Sequence, residues 1–259
     1  MNAVDLYRKL PKKNCGKCSQ KTCMPFAIAL LQGAALPEGC PLLSDAERKT
    51  LEESITRSDW REDLIQSLRL KIRNIDFSTI TEDIGGIYRD GNLIIECLGR
   101  EFAISPDGEL ESRGHITPWI KILLLHYITT HGKAELSGRW VSFSELKSGM
   151  VKASSFLREG EEPLKELLDC NLEQVSAVLE RVGARKSGDF PTPYAWNIFL
   201  LPKVPVLILY WPEEDEFPSK VKILFDRTAD KFLDVESIIF LVEGFAKNIE
   251  MGTSSGRQQ

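Results

Sequence analysis

The sequence predicts an α+β protein in which a small, thiol-rich helical module precedes a larger domain with antiparallel strands. Four of the six cysteines lie between Cys15 and Cys40. From about residue 75, helical spacing gives way to short strand-like runs separated by Asp-Gly turns. Helices then separate these strands from a second group of strands, an order typical of α+β folds.

These changes of pattern predict four segments. We expect a thiol-bearing module at residues 1–44, a helical connector at 45–74, an α+β domain at 75–250 and a disordered tail at 251–259. The chain has 259 residues, of which 42% are hydrophobic and 27% charged, an ordinary composition for a globular protein. A chain of this length buries a core without disulfides, so the cysteines are available for other chemistry.

Four helices are predicted before residue 75. Pro25 suits the first turn of an apolar helix and Gly33 its end. Ser44 and Glu47 form the sequence pattern of a capping box, which opens a helix to about Ile55. The four expected helices cover residues 3–10, 24–32, 45–55 and 60–72.

The remaining elements alternate between strands and helices. Asp90-Gly91 and Asp107-Gly108 are predicted turns of the first strand group. Thr117 is expected to begin an apolar helix that reaches Tyr127, and Asp234 the last helix. Strands are expected at residues 84–88, 93–98, 101–104, 194–200, 204–211 and 220–225, and helices at 163–169, 172–182 and 235–249.

The charge is unevenly distributed along the chain. The net charge is −5, but residues 1–24 carry six basic side chains and only Asp5 as an acid, so this segment has a net charge of +5 and the rest −10. A basic segment on an acidic body favours an acidic partner or an anionic group and argues against nucleic acid. The basic residues are Arg8, Lys9, Lys12, Lys13, Lys17 and Lys21.

Hydropathy predicts no membrane association. The first residues lack the apolar stretch of a secretory leader, and no run reaches the roughly 20 apolar residues of a membrane span. We therefore expect a cytoplasmic protein, a location in which structural disulfides are rare.

The four clustered cysteines have the spacing C-x2-C-x4-C-x16-C, formed by Cys15, Cys18, Cys23 and Cys40. Three thiols in one loop and a fourth that returns later are able to ligate the four corners of a [4Fe-4S] cluster. Gly16 lets the loop turn tightly. Cys23 precedes a helix, whose free N–H groups favour an anionic centre.

Two alternatives remain open for these thiols. Structural zinc is usually bound by two paired cysteine knuckles, whereas Cys40 returns here without a second knuckle. A disulfide framework would conflict with the expected cytoplasmic location. We therefore favour an iron–sulfur cluster over zinc and over disulfides.

The stretch LPKKNCGKCSQKTCMPFAIALLQGAALPEGCPLL resembles the N-terminal iron–sulfur domain of the corrinoid iron–sulfur protein large subunit, the gamma subunit of acetyl-CoA decarbonylase/synthase. This resemblance covers residues 10–43 and implies a [4Fe-4S] cluster that transfers electrons to a corrinoid (cobalamin) in anaerobic one-carbon metabolism. It also implies a corrinoid protein, a methyltransferase or another redox partner. The family's barrel and Rossmann-like domain find no counterpart in this strand and helix order.

The body resembles instead an uncharacterised domain family that often follows this cluster module. The resemblance lies in the stretches LLLHYITTHGKAELSGRWVSFSEL, LPKVPVLILYWPEEDEFPSKVKILFD and ADKFLDVES. It implies no activity.

Three residues of the body are candidate corrinoid contacts. His126 lies in an apolar helix and has the chemistry to ligate cobalt, with Tyr127 beside it and Trp211 as a wall for a flat macrocycle. The alternative for each is ordinary packing in the core. Cys97 and Cys170 are interpreted as structural thiols.

An acidic loop supplies a second candidate site. Residues 213–216 are all acidic, and Asp226 ends the strand that follows them. This pattern suits a cation site or an acid–base pair, or else a solvated turn. Three hypotheses follow: a redox protein that serves a corrinoid, a cluster-dependent enzyme that uses residues 213–226, and an interaction or sensor protein built on a structural metal.

Overall fold

A computed structural model describes residues 3–18, 20–31, 34–54 and 60–255. The chain forms two compact units, Met1–Leu64 and Ile65–Gln259. Helices and two antiparallel sheets confirm the predicted α+β class. No helix in the described ranges is both long and apolar enough to cross a lipid bilayer.

Within its described residues, the first unit contains three α-helices, and a fourth begins near its end. The bounds are α1 (Ala3–Lys9), α2 (Cys23–Leu31), α3 (Asp45–Ser54) and α4 (Trp60–Ile72). These agree with the predicted helices, although the predicted ends at Gly33 and Ile55 lie outside the described residues. The buried residues that form its core are Leu6, Leu10, Phe26, Ala27, Leu30, Cys40, Leu43 and Leu51.

The start of α3 confirms the predicted capping box. The Ser44 backbone N–H donates to Glu47 Oε2 at 2.8 Å, and the Ser44 hydroxyl donates to the same oxygen at 2.7 Å. In return, the Glu47 N–H donates to Ser44 Oγ at 3.4 Å. These hydrogen bonds lower the pKa of Glu47. They fix the point at which α3 leaves the loop that carries Cys40.

The second unit begins with a meander of four antiparallel strands. Asp90-Gly91 turns the first hairpin, as predicted, and Leu98-Gly99 turns the second. All four of these turn residues have positive φ, between 51° and 82°, which suits the twist of two-residue hairpins. The strands are β1 (Ile87–Arg89), β2 (Asn92–Cys97), β3 (Arg100–Ile104) and the unpredicted β4 (Leu110–Glu111).

A second sheet of five antiparallel strands forms the centre of the unit. Its strands are β5 (Trp140–Ser142), β6 (Arg185–Lys186), β7 (Tyr194–Leu201), β8 (Val204–Trp211) and β9 (Lys220–Asp226). Their order in the sheet is β5-β9-β8-β7-β6. The central strand β8 is buried along almost its whole length, as its unbroken apolar run predicts. The sequence did not predict the two edge strands, β5 and β6.

Six further helices belong to this unit. They are α5 (Phe77–Ile80), α6 (Pro118–Thr130), α7 (Gly149–Phe156), α8 (Glu162–Cys170), α9 (Leu172–Arg181) and α10 (Val235–Ser255). Thr117 caps α6 as predicted, because its hydroxyl accepts the Ile120 N–H at 3.3 Å. Helix α7 was not predicted, and a π-helical turn at Leu157–Glu161 joins it to α8.

The predicted disordered tail is wrong for residues 251–255, which continue α10. This last turn is anchored on α9. The Gln174 side chain donates to the Thr253 carbonyl at 2.6 Å. Gly252 approaches Val178 so closely that an added Cβ would lie 2.8 Å from a Val178 methyl carbon. Residues 256–259 lie outside the described part of the chain.

Candidate metal centre

The four cysteines at residues 15, 18, 23 and 40 line a single pocket in the first unit. Its free space, open mouth included, is about 330 Å³. All four are free thiols, so the structure contains no disulfide among them. Their exposure is graded, because Cys15 is exposed, Cys18 and Cys23 are half-buried, and Cys40 is 5% exposed. The pocket is therefore closed behind Cys40 and open beside Cys15.

The loop that carries the first two thiols turns through left-handed backbone. Lys12, Asn14 and Gly16 have φ values of 57°, 45° and 65°. Glycine adopts this left-handed conformation without strain, and asparagine tolerates it better than most residues. The alternation of these residues folds the loop back on itself, so Cys15 and Cys18 face the same pocket.

Asn14 fastens this loop to the helix that carries the third thiol. Its side-chain oxygen accepts the backbone N–H of Cys23, the first residue of α2, at 2.8 Å. An N–H at a helix start has no partner within the helix, so Asn14 satisfies a group that would otherwise need water. The cysteine spacing gives no sign of this role, because the bond depends on how the loop folds back on α2.

Cys40 reaches the pocket from a tight turn. A 3-10 turn at Pro37–Gly39 precedes it, and the Cys40 N–H donates to the Pro37 carbonyl at 3.1 Å. Its own carbonyl accepts the Leu43 N–H at 3.3 Å and an Arg48 guanidinium N–H at 3.3 Å. Cys40 is thereby held on both sides by local hydrogen bonds.

In the ranges that the structure covers, no three cysteine, histidine or acidic side chains converge in the manner of a single-ion site. All four thiols nevertheless line one pocket. A set of four cysteine thiolates is the donor set of a [4Fe-4S] cluster.

Exposed basic and apolar side chains lie close in sequence to the cysteines of the module. Lys12, Lys13, Lys17 and Lys21 are exposed on the loop that carries Cys15 and Cys18. Apolar surface lies nearby in the chain, since Leu36 is 62% exposed and Leu42 lines the pocket while 39% exposed. We call this group of four lysines the basic collar.

Tyr127 does not have the exposure expected of a ligand contact. Its ring is fully buried, and its hydroxyl donates to the Ile84 carbonyl at 2.7 Å. The same hydroxyl accepts the Lys203 N–H at 3.2 Å. Burial raises the pKa of this phenol. Tyr127 therefore belongs to the core of the second unit, since its buried ring has no free surface for a macrocycle to contact.

His126 and Trp211 have different surroundings. His126 Nε2 lies 3.6 Å from Asp234 Oδ2, and Nδ1 lies 3.4 Å from Ser237 Oγ. The Trp211 indole N–H donates to the Pro191 carbonyl at 3.3 Å. Trp211 packs in a small cluster of the second sheet that contains Ala195, Leu207, Leu209, Trp140, Phe190 and Leu224. The described contacts do not bring His126 and Trp211 together.

The acidic loop and Asp226 do not form the single site that the enzyme hypothesis needs. Residues 213–216 are exposed in the turn between β8 and β9. Asp226 ends β9, a strand of 7 residues, so about 20 Å of extended chain separates it from the loop. The expectation of a joint site at residues 213–226 is therefore wrong.

Asp226 has a structural role instead. Its carboxylate is 2% exposed and accepts hydrogen bonds from Ser137 N and Oγ, Gly138 N, and Thr228 N and Oγ1. Burial opposes ionisation of this carboxyl, but the hydrogen bonds from Thr228 and Ser137 outweigh it and lower the pKa. The carboxylate thus joins two loops distant in sequence.

The two cysteines outside the motif differ from each other. Cys97 is buried in β2, and desolvation raises the pKa of its thiol. Cys170 is exposed at the end of α8. Neither lines the pocket of the four clustered thiols.

Two family models match the chain. The model described as "Putative Fe-S cluster" matches residues 10–42, and the model described as "Domain of unknown function (DUF3786)" matches residues 76–248. The first match contains all four clustered cysteines. The second covers most of the second unit. No solved structure matches the chain.

Curated relatives match the N-terminal segment alone. The corrinoid/iron-sulfur protein large subunit of Moorella thermoacetica is 44% identical over 52 residues, which are 20% of this chain and 12% of the relative. The acetyl-CoA decarbonylase/synthase complex subunit gamma of Methanopyrus kandleri is 49% identical over 53 residues, again 20% and 12%. The gamma subunit of Methanothermobacter thermautotrophicus is 48% identical over 52 residues, 20% and 11%. The chain thus spans about an eighth of the length of these relatives.

The two family matches agree with the division of the chain into a thiol pocket and a larger second unit. The chain belongs to the DUF3786 family, and it carries at its N-terminus an iron–sulfur cluster module similar to that of corrinoid iron–sulfur protein subunits.

Proposed function

We propose that the chain is an electron-transfer protein in which Cys15, Cys18, Cys23 and Cys40 ligate one [4Fe-4S] cluster. The observation that carries this proposal is the single pocket lined by all four free thiols. A bound cluster would supply a one-electron carrier. The chain's own residues position its ligands, through Asn14 for the loop and the turn at Pro37–Gly39 for Cys40.

The donor set and its surroundings favour a cluster over structural zinc. Four thiolates on a shared pocket provide one ligand for each of four irons, whereas zinc draws its ligands to one point at about 2.3 Å. The N-terminus of α2 and the basic collar both favour an anionic centre. The exposed Cys15 side offers the route by which electrons enter and leave.

We further propose that the electrons go to a corrinoid or to the protein that holds one, in anaerobic one-carbon metabolism. The names of the relatives support this, since the Moorella protein is called a corrinoid/iron-sulfur protein. His126 is partly exposed and Trp211 lies at the end of β8, so both are candidates to contact a corrinoid. The basic collar is the surface proposed to meet an acidic redox partner or methyltransferase.

Cluster ligation is tested on the full chain, purified without oxygen and reconstituted with iron and sulfide. We expect four irons and four sulfides per chain, with the visible absorption and the EPR signal of a reduced [4Fe-4S] cluster. Cys18→Ser and Cys40→Ser should lose most of the iron. Cys170→Ser, which removes an exposed cysteine outside the pocket, should keep it. Protein that binds one zinc and no iron would contradict the proposal.

The corrinoid part has a separate test. Reduced protein is mixed anaerobically with cob(II)alamin, and the cluster and cobalt spectra are followed together. We expect each reduced cluster to lose one electron and one cobalt to gain it, with His126→Ala weakening the response. A cluster-loaded protein that neither changes the cobalamin spectrum nor releases heat on titration would remove the corrinoid part and leave cluster ligation intact.

A further inference from the structure

Arg48 lies in α3 with its guanidinium against the backbone of Cys40. Nη2 donates to the Cys40 carbonyl at 3.3 Å, and Nη1 forms an ion pair with Asp45 at 3.1 Å. The Arg48 side chain is 27% exposed, whereas the Asp45 side chain is fully exposed. The positive charge of Arg48 is therefore partly withdrawn from water beside the backbone of Cys40, which carries one of the four thiols.

One donor of this guanidinium has no acceptor. Arg48 Nε is buried and makes no hydrogen bond to the described part of the chain. A buried N–H without a partner destabilises a fold and is uncommon in native proteins. The side chain that carries this donor contacts Cys40, one of the residues that line the thiol pocket, so the donor is available to a group bound there.

The position of Arg48 is fixed by the same elements that fix Cys40. Its backbone N–H donates to the Ser44 carbonyl at 2.9 Å, inside the capping box that begins α3. Leu43 and Leu51, on either side of Arg48 in sequence, are buried in the core that also contains Cys40. The helix turn that carries Arg48 is therefore anchored in the same core as Cys40.

We propose that Arg48 raises the reduction potential of the cluster bound by the four cysteines. Arg48 is not a ligand and would act through Cys40, so it is a positioning residue of the electron-transfer site. This rests on the proposed [4Fe-4S] ligation. A cluster with four thiolates is anionic, and reduction adds one further negative charge. A fixed positive charge stabilises the reduced form more than the oxidised form, and an N–H donated to a sulfur acts in the same direction.

This role separates Arg48 from the lysines of the basic collar. The collar lysines are exposed, so salt screens their effect on the cluster. The Arg48 charge is partly buried and hydrogen-bonded to Cys40, so salt should screen it much less. The dependence of the potential on ionic strength therefore distinguishes the two.

The test compares Arg48→Gln and Arg48→Lys with Lys49→Gln, which removes the same charge from the next, exposed residue of α3. Iron and sulfide are measured first, and the midpoint potential is then taken from EPR-monitored titrations at low and high salt. For Arg48→Gln we expect at least a tenfold lower equilibrium constant for reduction, which is about 59 mV for a one-electron couple. Lys49→Gln should shift the midpoint potential less, and only at low salt.

Arg48→Lys keeps the charge but loses Nε–H, so its potential should lie between those of wild type and Arg48→Gln. A loaded Arg48→Gln protein with the potential of Lys49→Gln would overturn the proposal. Should Arg48→Gln lose the cluster, Arg48→Met takes its place, and a loaded Arg48→Met protein with the potential of Lys49→Gln would overturn the proposal equally. Wild-type protein without iron would instead refute the proposed ligation, so the two failures are distinguishable.

Discussion

Asn14 and Cys23, nine residues apart, are joined by a hydrogen bond of 2.8 Å from the Cys23 backbone N–H to the Asn14 side-chain oxygen. This bond closes the loop between the first and third thiols of the pocket. Asn14 has a left-handed backbone, with a φ of 45°, and its side chain supplies the acceptor at the start of α2.

Loss of this bond should loosen the cluster module. We predict that Asn14→Ala destabilises the first unit by about 1 kcal/mol, as for other helix caps, and speeds release of iron from the reconstituted protein. Iron release to a chelator, followed anaerobically by absorbance, measures the effect. Asn14→Asp keeps the acceptor and should release iron near the wild-type rate. Equal release rates for wild type and Asn14→Ala would show that the bond is dispensable.

Tyr127 should matter for the stability of the second unit. We predict that Tyr127→Phe destabilises it by about 1–3 kcal/mol, because the buried Ile84 carbonyl and Lys203 N–H both lose their partner. Urea unfolding followed by tryptophan fluorescence measures this. Tyr88→Phe is the matched control, since Tyr88 is 50% exposed and the same change should have almost no effect. An unchanged unfolding midpoint for Tyr127→Phe would contradict the core role.

The stabilising effect of Asp226 should depend on pH. Its pKa in the folded protein is lowered, so the ionised carboxylate stabilises the fold above the unfolded pKa and loses this effect as pH falls through the folded value. We predict that Asp226→Asn destabilises the protein at pH 7 and that the difference from wild type shrinks below about pH 4. Urea unfolding at a series of pH values provides the measurement.

The control for that series is Asp215→Asn, in the exposed turn of the acidic loop. Asp215 has a φ of 50°, which asparagine also accepts, and its side chain is in water. This variant should match wild type at every pH. A difference for Asp226→Asn that stays constant from pH 7 to pH 3 would show that charge is not the cause.

The end of α10 should contribute to the second unit. We predict that deletion of residues 251–259 lowers the unfolding midpoint, because it removes the Thr253 carbonyl from Gln174 and the packing of Gly252 on Val178. Deletion of residues 256–259 alone is the control and should leave the midpoint unchanged. Thermal unfolding by circular dichroism is sufficient. Equal midpoints for the two deletions would contradict the docking of this turn on α9.

Elements with strong local signals could be predicted from sequence. The Ser44–Glu47 capping box, the Asp90-Gly91 turn and the apolar strand β8 all follow from neighbouring residues. Strands β5 and β6 are 3 and 2 residues long and exist only because β9 and β7 pair with them. Two or three residues carry too little local pattern to indicate a strand, and the partner of β5 lies more than 80 residues away in the chain.

The candidate site was predictable to the same extent. Cysteine spacing alone predicts that the four thiols share one site, because ligands at such spacing are a local sequence signal for a metal centre. The roles of Asn14 and Arg48 depend on contacts across 9 and 8 residues that only the folded loop creates. The burial of Tyr127 depends on Ile84 and Lys203, 43 and 76 residues away, which no helical pattern of α6 could reveal.

The graded exposure of the thiols, from the exposed Cys15 to the buried Cys40, leaves the pocket open on the Cys15 side. With the proposed cluster bound, we expect this same side to serve both the entry of iron and sulfide and the proposed exchange of electrons. A protein that delivers the cluster and a protein that accepts its electrons would then compete for one surface. We therefore expect cluster assembly to precede docking of the proposed redox partner.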